Sequence, residues 1–590
     1  MIVQKSFVKF GVLVFIVGIL IYTRFVGIDW GLPFPMHPDE RNMVIAILNM
    51  TCQQGWTADC LNPHFYAYGQ LPLYAGYFIS FVITLLKGDV RIDFETVVLS
   101  LRMLSAISSI VTVVVLVKTV RALCGRSVRH FAIAATVCIF SPVFIQFAHF
   151  GTTESLLMLY TSLMIYFAVL FTQGRILRLQ YVFLTGTIFG LAVGTKVSSV
   201  LFACIPCIAL FIECTKSRSI ESIYQALFTL IKIAVLGVII FILISPFNLI
   251  DWEAFVHSMN YESEVGIGTY KAFYTRQFEY TVPWFFQLFH IFPYTLGTPM
   301  LVLFLLGFVF LPWNKEYMVL RVSAIFLFIP HALLYAKWSR FYAPLYPIMT
   351  LIGTVLLIRL TNYLSFSKTT RTRSINFIIT VVCVAVVSIP GVSYLSIYQN
   401  PDIRFLASKW IYEHIPQNSY ILSETANVVD IPMPNPYVDD EIVFQKNLQP
   451  VSFDFYEVDN SMVLERELND HISMAEYIFV PSRRIFWNQT CYRNVNGQMS
   501  KLKVFDSFVI LSEAKDPDFC QKLKDRYPLL NAYYDDLFSG KLGFEKVAEF
   551  HSYPRIDFMG RTLLEFPDEG AEETWTVFDH PVIRIYKRSD

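Results

Sequence analysis

Charge is scarce in this chain and balanced where it occurs. Only 16% of residues are Asp, Glu, Lys or Arg, where a soluble domain carries about 25%, and the formal net charge is zero. That balance leaves no basic stripe for a nucleic-acid partner. No glycine-rich phosphate loop is present. No A-x-A-like site follows the first apolar run, Phe10–Tyr22. With Lys5 and Lys9 ahead of it, that run therefore reads as a retained anchor rather than a signal peptide. There is no internal repeat and no low-complexity segment. Metal-ligand spacing is also lacking: His37, Asp39 and Glu40 alone make a weak set, so no metal or other cofactor is assigned.

Apolar sequence fills the place of charge. The chain is 55% hydrophobic with mean hydropathy +0.49, and runs of about 20 apolar residues need a bilayer to bury them. Phe and Tyr are abundant, which suits lipid contact and interfacial belts. Basic residues collect between the runs at Lys5/Lys9, Lys118/Arg121/Arg126/Arg129, Arg175/Arg178, Lys216/Arg218, Lys315/Arg321 and Arg359/Lys368/Arg371/Arg373. The positive-inside rule puts these clusters in the cytoplasm.

Parity then sets the crossings. Spans are expected at 10–27, 97–117, 131–148, 155–171, 226–247, 293–312, 318–336, 342–359 and 377–398. The run 181–212 would be about 48 Å long as one helix, so it is read as two spans turning near Gly194-Thr195-Lys196. Leu71–Leu86 has no parity left to cross and reads as a helix at the outer membrane surface. The expected fold is an α-helical polytopic membrane protein with about eleven transmembrane helices and a C-terminal extracytoplasmic α/β domain. The membrane part covers 1–398, with outer loops at 28–96 and 248–292, and the soluble part covers 399–590. In the latter, Trp410–Leu422 reads as a helix end, a Pro turn and a strand, and AEYIFVPS and HPVIRIYKR read as further strands. Cys52, Cys60, Cys491 and Cys520 fall outside, as two close pairs that are either disulfides or free thiols. The sequons at Asn49 and Asn488 are common by chance.

The same topology sorts the remaining ionisable residues. Asp39, Glu40, Glu154, Lys196, Lys337 and Arg340 map to the outer rim, and Arg102 lies near the outer end of its span. Ionisable groups beside hydrocarbon are functional candidates. Each also has a plain structural reading. Asp39 and Glu40 can cap the helix that follows, Glu154 can decorate a first turn, Lys196 can snorkel, and Arg340 can meet lipid head groups. Those readings leave their common location unexplained. A carboxylate can act as general base, and Lys and Arg beside it can hold a phosphate. Together they suit transfer of a group from a phosphorylated carrier lodged in the membrane. Tyr and Trp around 252–294 either stack on sugar or serve as interface aromatics.

Several ordered motifs resemble one known group. They are HPDE (His37–Glu40), NPHFYAYGQLPLY (Asn62–Tyr74), LSLRMLSAISS (Leu99–Ser109), FAHFGTTESLL around Glu154, GLAVGTKVSS around Lys196, SPFNLIDWEAF (Ser245–Phe255), Tyr280–Met300, SRFYAPLYPIM and FLASKWIYEHIPQNSYIL. The set resembles the GT-C superfamily of polyprenyl-phosphate-dependent glycosyltransferases, in its protein O-mannosyltransferase and aminoarabinose-transferase-like branch. The resemblance covers most of residues 10–425. It implies catalytic duty for Asp39, Glu40 and Glu154, with Asp39 as the base or the organiser of the acceptor. It implies donor-phosphate contacts from Lys196 and Arg340, with Arg102 and His37 as further candidates. Many relatives carry Asp where this chain has Glu154, and the C-terminal domain matches only at its start.

The implied activity moves a sugar from a polyprenyl-phosphate donor to an extracytoplasmic hydroxyl or amine on protein, lipid or glycan, with inversion. Its partners would be the lipid-linked donor, that acceptor and the surrounding membrane lipids, with no nucleic acid. The membrane would be a plasma (inner) membrane, or the endoplasmic reticulum in a eukaryote. HPDE also occurs in mannosyltransferases of lipid-linked glycan or anchor assembly. A transporter of a polar solute is the reading from another class, for which inverted repeats and interrupted midplane helices are the expected signs; neither is seen.

Overall fold

The structure, a computed structural model, describes residues 2–50, 52, 55, 57, 59–217, 219–364, 370–424, 430–433, 436–490 and 517–589. The helical part begins with α1 (Ile2–Phe25), α2 (Pro38–Leu48), α3 (Leu71–Lys87) and α4 (Phe94–Cys124). It continues through α5 (Val128–Ile139), α6 (Pro142–His149), α7 (Glu154–Thr172), α8 (Arg178–Val193), α9 (Cys204–Ser217) and α10 (Ile220–Ile244). The loop after α10 holds α11 (Phe247–Ile250) and α12 (Trp252–Ile267), and the bundle closes with α13 (Thr298–Phe310), α14 (Lys315–Leu333), α15 (Tyr346–Leu364) and α16 (Thr370–Tyr394).

Among the described residues, seven helical segments are long and apolar enough to cross a membrane, and the pair α5–α6, bent by 51°, makes eight if it is one span. Pro142 opens α6 and has no N–H to continue the ladder from α5. Each expected span has a helix, while the count of eleven is not confirmed among the described residues, where α8 is shorter than the helices that qualify. Leu71–Leu86 is a separate helix, α3, as expected, and Gly88 ends it in the left-handed conformation (φ 77°). The run 181–212 does break at 194–196, between α8 and a 3₁₀ turn over Val197–Ala203 that leads into α9.

The C-terminal part is α/β. Its sheet runs β2 (Gln449–Phe453), β1 (Tyr420–Glu424), β3 (Tyr477–Val480), β7 (Ile583–Arg588), β4 (Phe544–Phe550). β1 is parallel to β2 and β3, while β7 is antiparallel to β3 and β4. Successive residues of a strand face opposite sides. Thus Leu422 and Ile478 join a core with Phe455 and Tyr534, while Ile421 and Phe479 join one with Ile411 and Ile583. A separate ribbon, β5 (Arg555–Phe558) and β6 (Arg561–Glu565), stands off the sheet. Between β6 and β7 the chain returns to the helical bundle, and Asp568, Glu572, Glu573, Trp575, Asp579 and His580 are all buried there. Cys52 and Cys60 form a disulfide; Cys491 of the other candidate pair lies outside the described residues.

Candidate functional site

The MHPDER stretch is a helix start. His37 is the N-cap of α2, its Nδ1 accepting from Glu40 N at 3.4 Å, and Pro38 fills the first turn. Asp39 and Glu40 sit where the helix dipole favours negative charge. Neighbours on a helix project in different directions, and here the two acids serve different environments.

Glu40 turns into the protein. Arg102 grips it in a two-pronged pair, Nε to Oε2 at 2.9 Å and Nη2 to Oε1 at 2.8 Å. Arg102 Nη1 also donates to Ile28 O and Trp30 O, both at 2.8 Å, and the guanidinium lies 4.4 Å from the Trp30 ring centre. Glu40 Oε2 further accepts from Gly151 N at 2.7 Å, which fixes the turn leading to Glu154. Arg102, expected among the donor-phosphate contacts, is engaged here by Glu40 and two backbone carbonyls. It is fully buried and its guanidinium is bound on all three nitrogens. Glu40, expected among the catalytic acids, is the partner of that pair. His37, expected as a further phosphate candidate, is buried between the rings of Phe150 (4.7 Å) and Phe578 (4.3 Å), and burial lowers its pKa.

Asp39 faces a cavity of about 690 Å³, whose wall also carries Lys196, Arg340, Tyr68, Arg41, Glu262 and Arg484. Arg340 Nη1 lies 2.8 Å from Asp39 Oδ2. Lys196 Nζ lies 3.9 Å from Glu154 Oε1, which is buried beside Thr153. The four rim residues from four connections thus meet in one cluster. Lys337 stays apart, donating to Tyr335 O at 3.0 Å, and burial lowers its pKa to about 8.

Three motifs build the Lys196 turn. Gly69 N donates to Thr195 O (3.0 Å) and Leu71 N to Gly194 O (3.2 Å). A Cβ on Gly69 would stand 2.0 Å from Gly194 O, so the approach requires glycine. Ser245 Oγ donates to Gly194 O (3.2 Å) and accepts from Gln70 N (3.1 Å), while Phe247 N donates to Gln70 Oε1 (3.2 Å). Lys196 is therefore aimed by a closed set of backbone contacts, with its Nζ 5.3 Å from the Tyr68 ring centre and 5.6 Å from that of Phe341.

Arg340 sits in a 3₁₀ turn, Ser339–Tyr342, and stacks 4.5 Å from the Trp338 ring centre. Glu572, from the returning C-terminal segment, accepts from Ser339 N at 3.1 Å and from Thr574 N and Oγ1 at 2.9 and 2.6 Å. Tyr346 OH donates to Ser339 O at 2.7 Å. The C-terminal segment thereby holds the turn that presents Arg340.

Electrostatics follow from this packing. Burial pushes the Asp39 carboxyl up, but Arg340, with His37 and Lys196, outweighs it and holds it below the usual carboxylate range. Burial raises Glu262 against the pull of Lys196 and Arg340. Burial also lifts Glu573 to about 7, opposed by Arg484, whose Nη1 is 3.1 Å from Glu573 Oε1. Glu262, Arg41, Tyr68, Arg484 and Thr574 line the same cavity and were not singled out from sequence. Tyr68 lies inside the NPHFYAYGQLPLY motif and was within reach of such reading. Glu262 shares its helix with Glu253 and Glu264 and carries no mark of its own. Among the described residues, no group of three His, Cys, Asp or Glu side chains converges to hold a metal ion.

Residues 71–249 match the family model of the dolichyl-phosphate-mannose-protein mannosyltransferases. The resemblance to GT-C glycosyltransferases is supported over this stretch, which spans α3 to α11 and contains Glu154 and Lys196. No curated protein matches the chain. Similar solved structures include ArnT from Cupriavidus metallidurans in the apo state, 14% identical over 80% of this chain and 93% of that one, with TM-score 0.46. The archaeal oligosaccharyltransferase AglB from Archaeoglobus fulgidus, in complex with an inhibitory peptide and a dolichol-phosphate, is 10% identical over 80% and 71%, with TM-score 0.46. The arabinofuranosyltransferase AftD from Mycobacteria is 12% identical over 98% and 41%, with TM-score 0.38. Likeness at this level says nothing of substrate.

Proposed function

We propose that the protein is an integral membrane glycosyltransferase that takes a sugar from a polyprenyl-phosphate donor and moves it to a hydroxyl or amine on the extracytoplasmic side, inverting the anomeric carbon. The observation that carries this reading is the meeting of Asp39, Lys196 and Arg340 at one cavity, with Glu154 buried beside Lys196. The match of residues 71–249 to a family of lipid-phosphate-sugar transferases supports it.

In the proposed reaction the acceptor oxygen or nitrogen forms a bond to the anomeric carbon as the bond from that carbon to the carrier phosphate breaks. The electron pair leaves with the phosphate, where Lys196 and Arg340 balance the growing charge. The acceptor's proton passes to Asp39. Arg340 pairs with Asp39 at 2.8 Å. An arriving phosphate competes for that guanidinium, and as Arg340 turns to it the Asp39 carboxylate becomes a stronger base. Glu154, 3.9 Å from the Lys196 ammonium, helps to position it.

The test is incubation of the purified protein with a panel of polyprenyl-phosphate sugars and membrane-extract acceptors, followed by mass spectrometry of the products. Sugar transfer by the wild type and its loss in Asp39→Asn supports the reading. A folded Asp39→Asn protein that transfers at the wild-type rate removes Asp39 from the chemistry, and the absence of transfer from every lipid-phosphate sugar overturns the proposal.

A further inference from the structure

The ribbon β5–β6 carries apolar side chains into the open. Phe558 is 59% exposed, Met559 88%, Leu563 61% and Leu564 48%. Its other face is polar and closed on itself: Arg555 Nε donates to Asp557 Oδ2 at 2.9 Å and Thr562 Oγ1 to Asp557 Oδ1 at 2.7 Å. Ile556 and Leu564 are cross-strand partners on the apolar face. The ribbon is thus amphipathic, with the polar side satisfied internally and the apolar side unpartnered.

The tip adds to this. Met559 and Gly560 form the connection, with φ of 50° and 75°. Positive φ at both positions favours Asn-Gly or Gly-Gly in a two-residue hairpin loop. A methionine there is conformationally unfavourable, and in water its exposed side chain brings nothing in return. Inside hydrocarbon it does.

The ribbon's place in the fold selects the occupant. Arg555 N donates to Ser396 Oγ at 3.0 Å, just past the end of α16, and β5 lies against α16 itself. α16 is the last apolar span, and its exterior shows Phe377, Val382, Val386 and Val392 to the surroundings. The ribbon is thus rooted beside the end of an apolar span. Arg561, exposed beside the tip, stands where a basic side chain can reach lipid phosphates.

We infer that the β5–β6 ribbon inserts its tip, Phe558, Met559 and Leu563, into the outer leaflet of the bilayer and so fastens the C-terminal domain to the membrane surface. This stands independently of the sugar-transfer reading. The test places a nitroxide on Met559→Cys in the full-length protein reconstituted into phosphatidylcholine–phosphatidylglycerol vesicles, with the signal of identically treated wild type subtracted for the native thiols. Collision with oxygen should exceed collision with a water-soluble nickel chelate. Nickel collision in excess would put the tip in water and overturn the inference; low collision with both, on an immobilised label, would show a protein surface over the tip and also overturn it. Met559→Trp read with brominated lipids gives a second measure. Quenching is expected, and its absence in a folded sample counts against insertion.

Discussion

Arg340 and Asp39 form the ion pair on which the candidate site turns, Nη1 to Oδ2 at 2.8 Å, each side chain about one-fifth exposed at the cavity wall. The pair joins the first outer loop to the connection before α15, residues some three hundred positions apart in sequence. Asp39→Asn keeps the shape and removes the base, and transfer should fall about 10²–10⁴-fold, the range for loss of a positioned acid or base. Arg340→Ala should cost about as much as loss of one transition-state donor, roughly 10²–10³-fold in kcat, and Arg340→Lys should recover part of it, since Lys restores charge without the fork. Steady-state transfer assays on folded protein check both.

The acidic side of the pH profile should report this pair. Asp39 must be ionised to take a proton, and Arg340 holds its pKa below the ordinary carboxylate range against burial. Activity should therefore persist as pH falls into the usual carboxylate range and be lost only below it. Removing the cation in Arg340→Gln leaves burial dominant and raises the Asp39 pKa, so the acidic limb of kcat/KM moves to higher pH. An unmoved limb in the variant would assign it to another group.

Glu40 and Arg102 should behave as structural residues. They are buried, doubly bonded to one another, and tied to Gly151 N, Ile28 O and Trp30 O. Removing one partner of such a pair strands the other and destabilises by about 3–5 kcal/mol. Arg102→Ala and Glu40→Ala should each lower the melting temperature of the detergent-solubilised protein, with the folded fraction keeping its KM for donor. A raised donor KM with unchanged melting temperature in Arg102→Ala would restore it as a phosphate ligand.

How much of this was legible follows from the scarcity of charge. In an apolar chain the few charged residues outside the basic clusters stand out, and Asp39, Glu154, Lys196 and Arg340 were found that way. The strands at 420, 477 and 583 were legible from their apolar patterning. Glu40 and Arg102 were not separable from Asp39, because sequence adjacency does not say which helix face turns inward. The largest omission was the acidic stretch at 568–573, which reads like a solvated loop. Its Glu572 and Glu573 are fully buried, where Ser339 N, Gln277 and Arg484 pair with them across a distance in sequence that no local pattern spans.

That returning segment supplies the last prediction. His580 is buried between two carboxylates, Nδ1 2.6 Å from Asp579 Oδ1 and Nε2 2.9 Å from Asp568 Oδ2. Asp579 Oδ2 also accepts from Tyr398 OH at 2.7 Å and Tyr394 OH at 3.2 Å, and so ties the segment to the end of the last span. Burial alone lowers the imidazole pKa, but Asp579 and Asp568 outweigh it and raise it from 6.5 to about 10. A group whose folded pKa is raised contributes its stability fully below the unfolded value and loses it as pH rises through the folded one. The docking of this segment should hold up to about pH 6.5 and weaken progressively toward about pH 10. His580→Gln should remove that slope, leaving a lower melting temperature that changes little over the same window. Because Glu572 of this segment holds the Arg340 turn, transfer activity should decline along with it in the wild type, measured as melting temperature and transfer rate on the same samples between those two pH values.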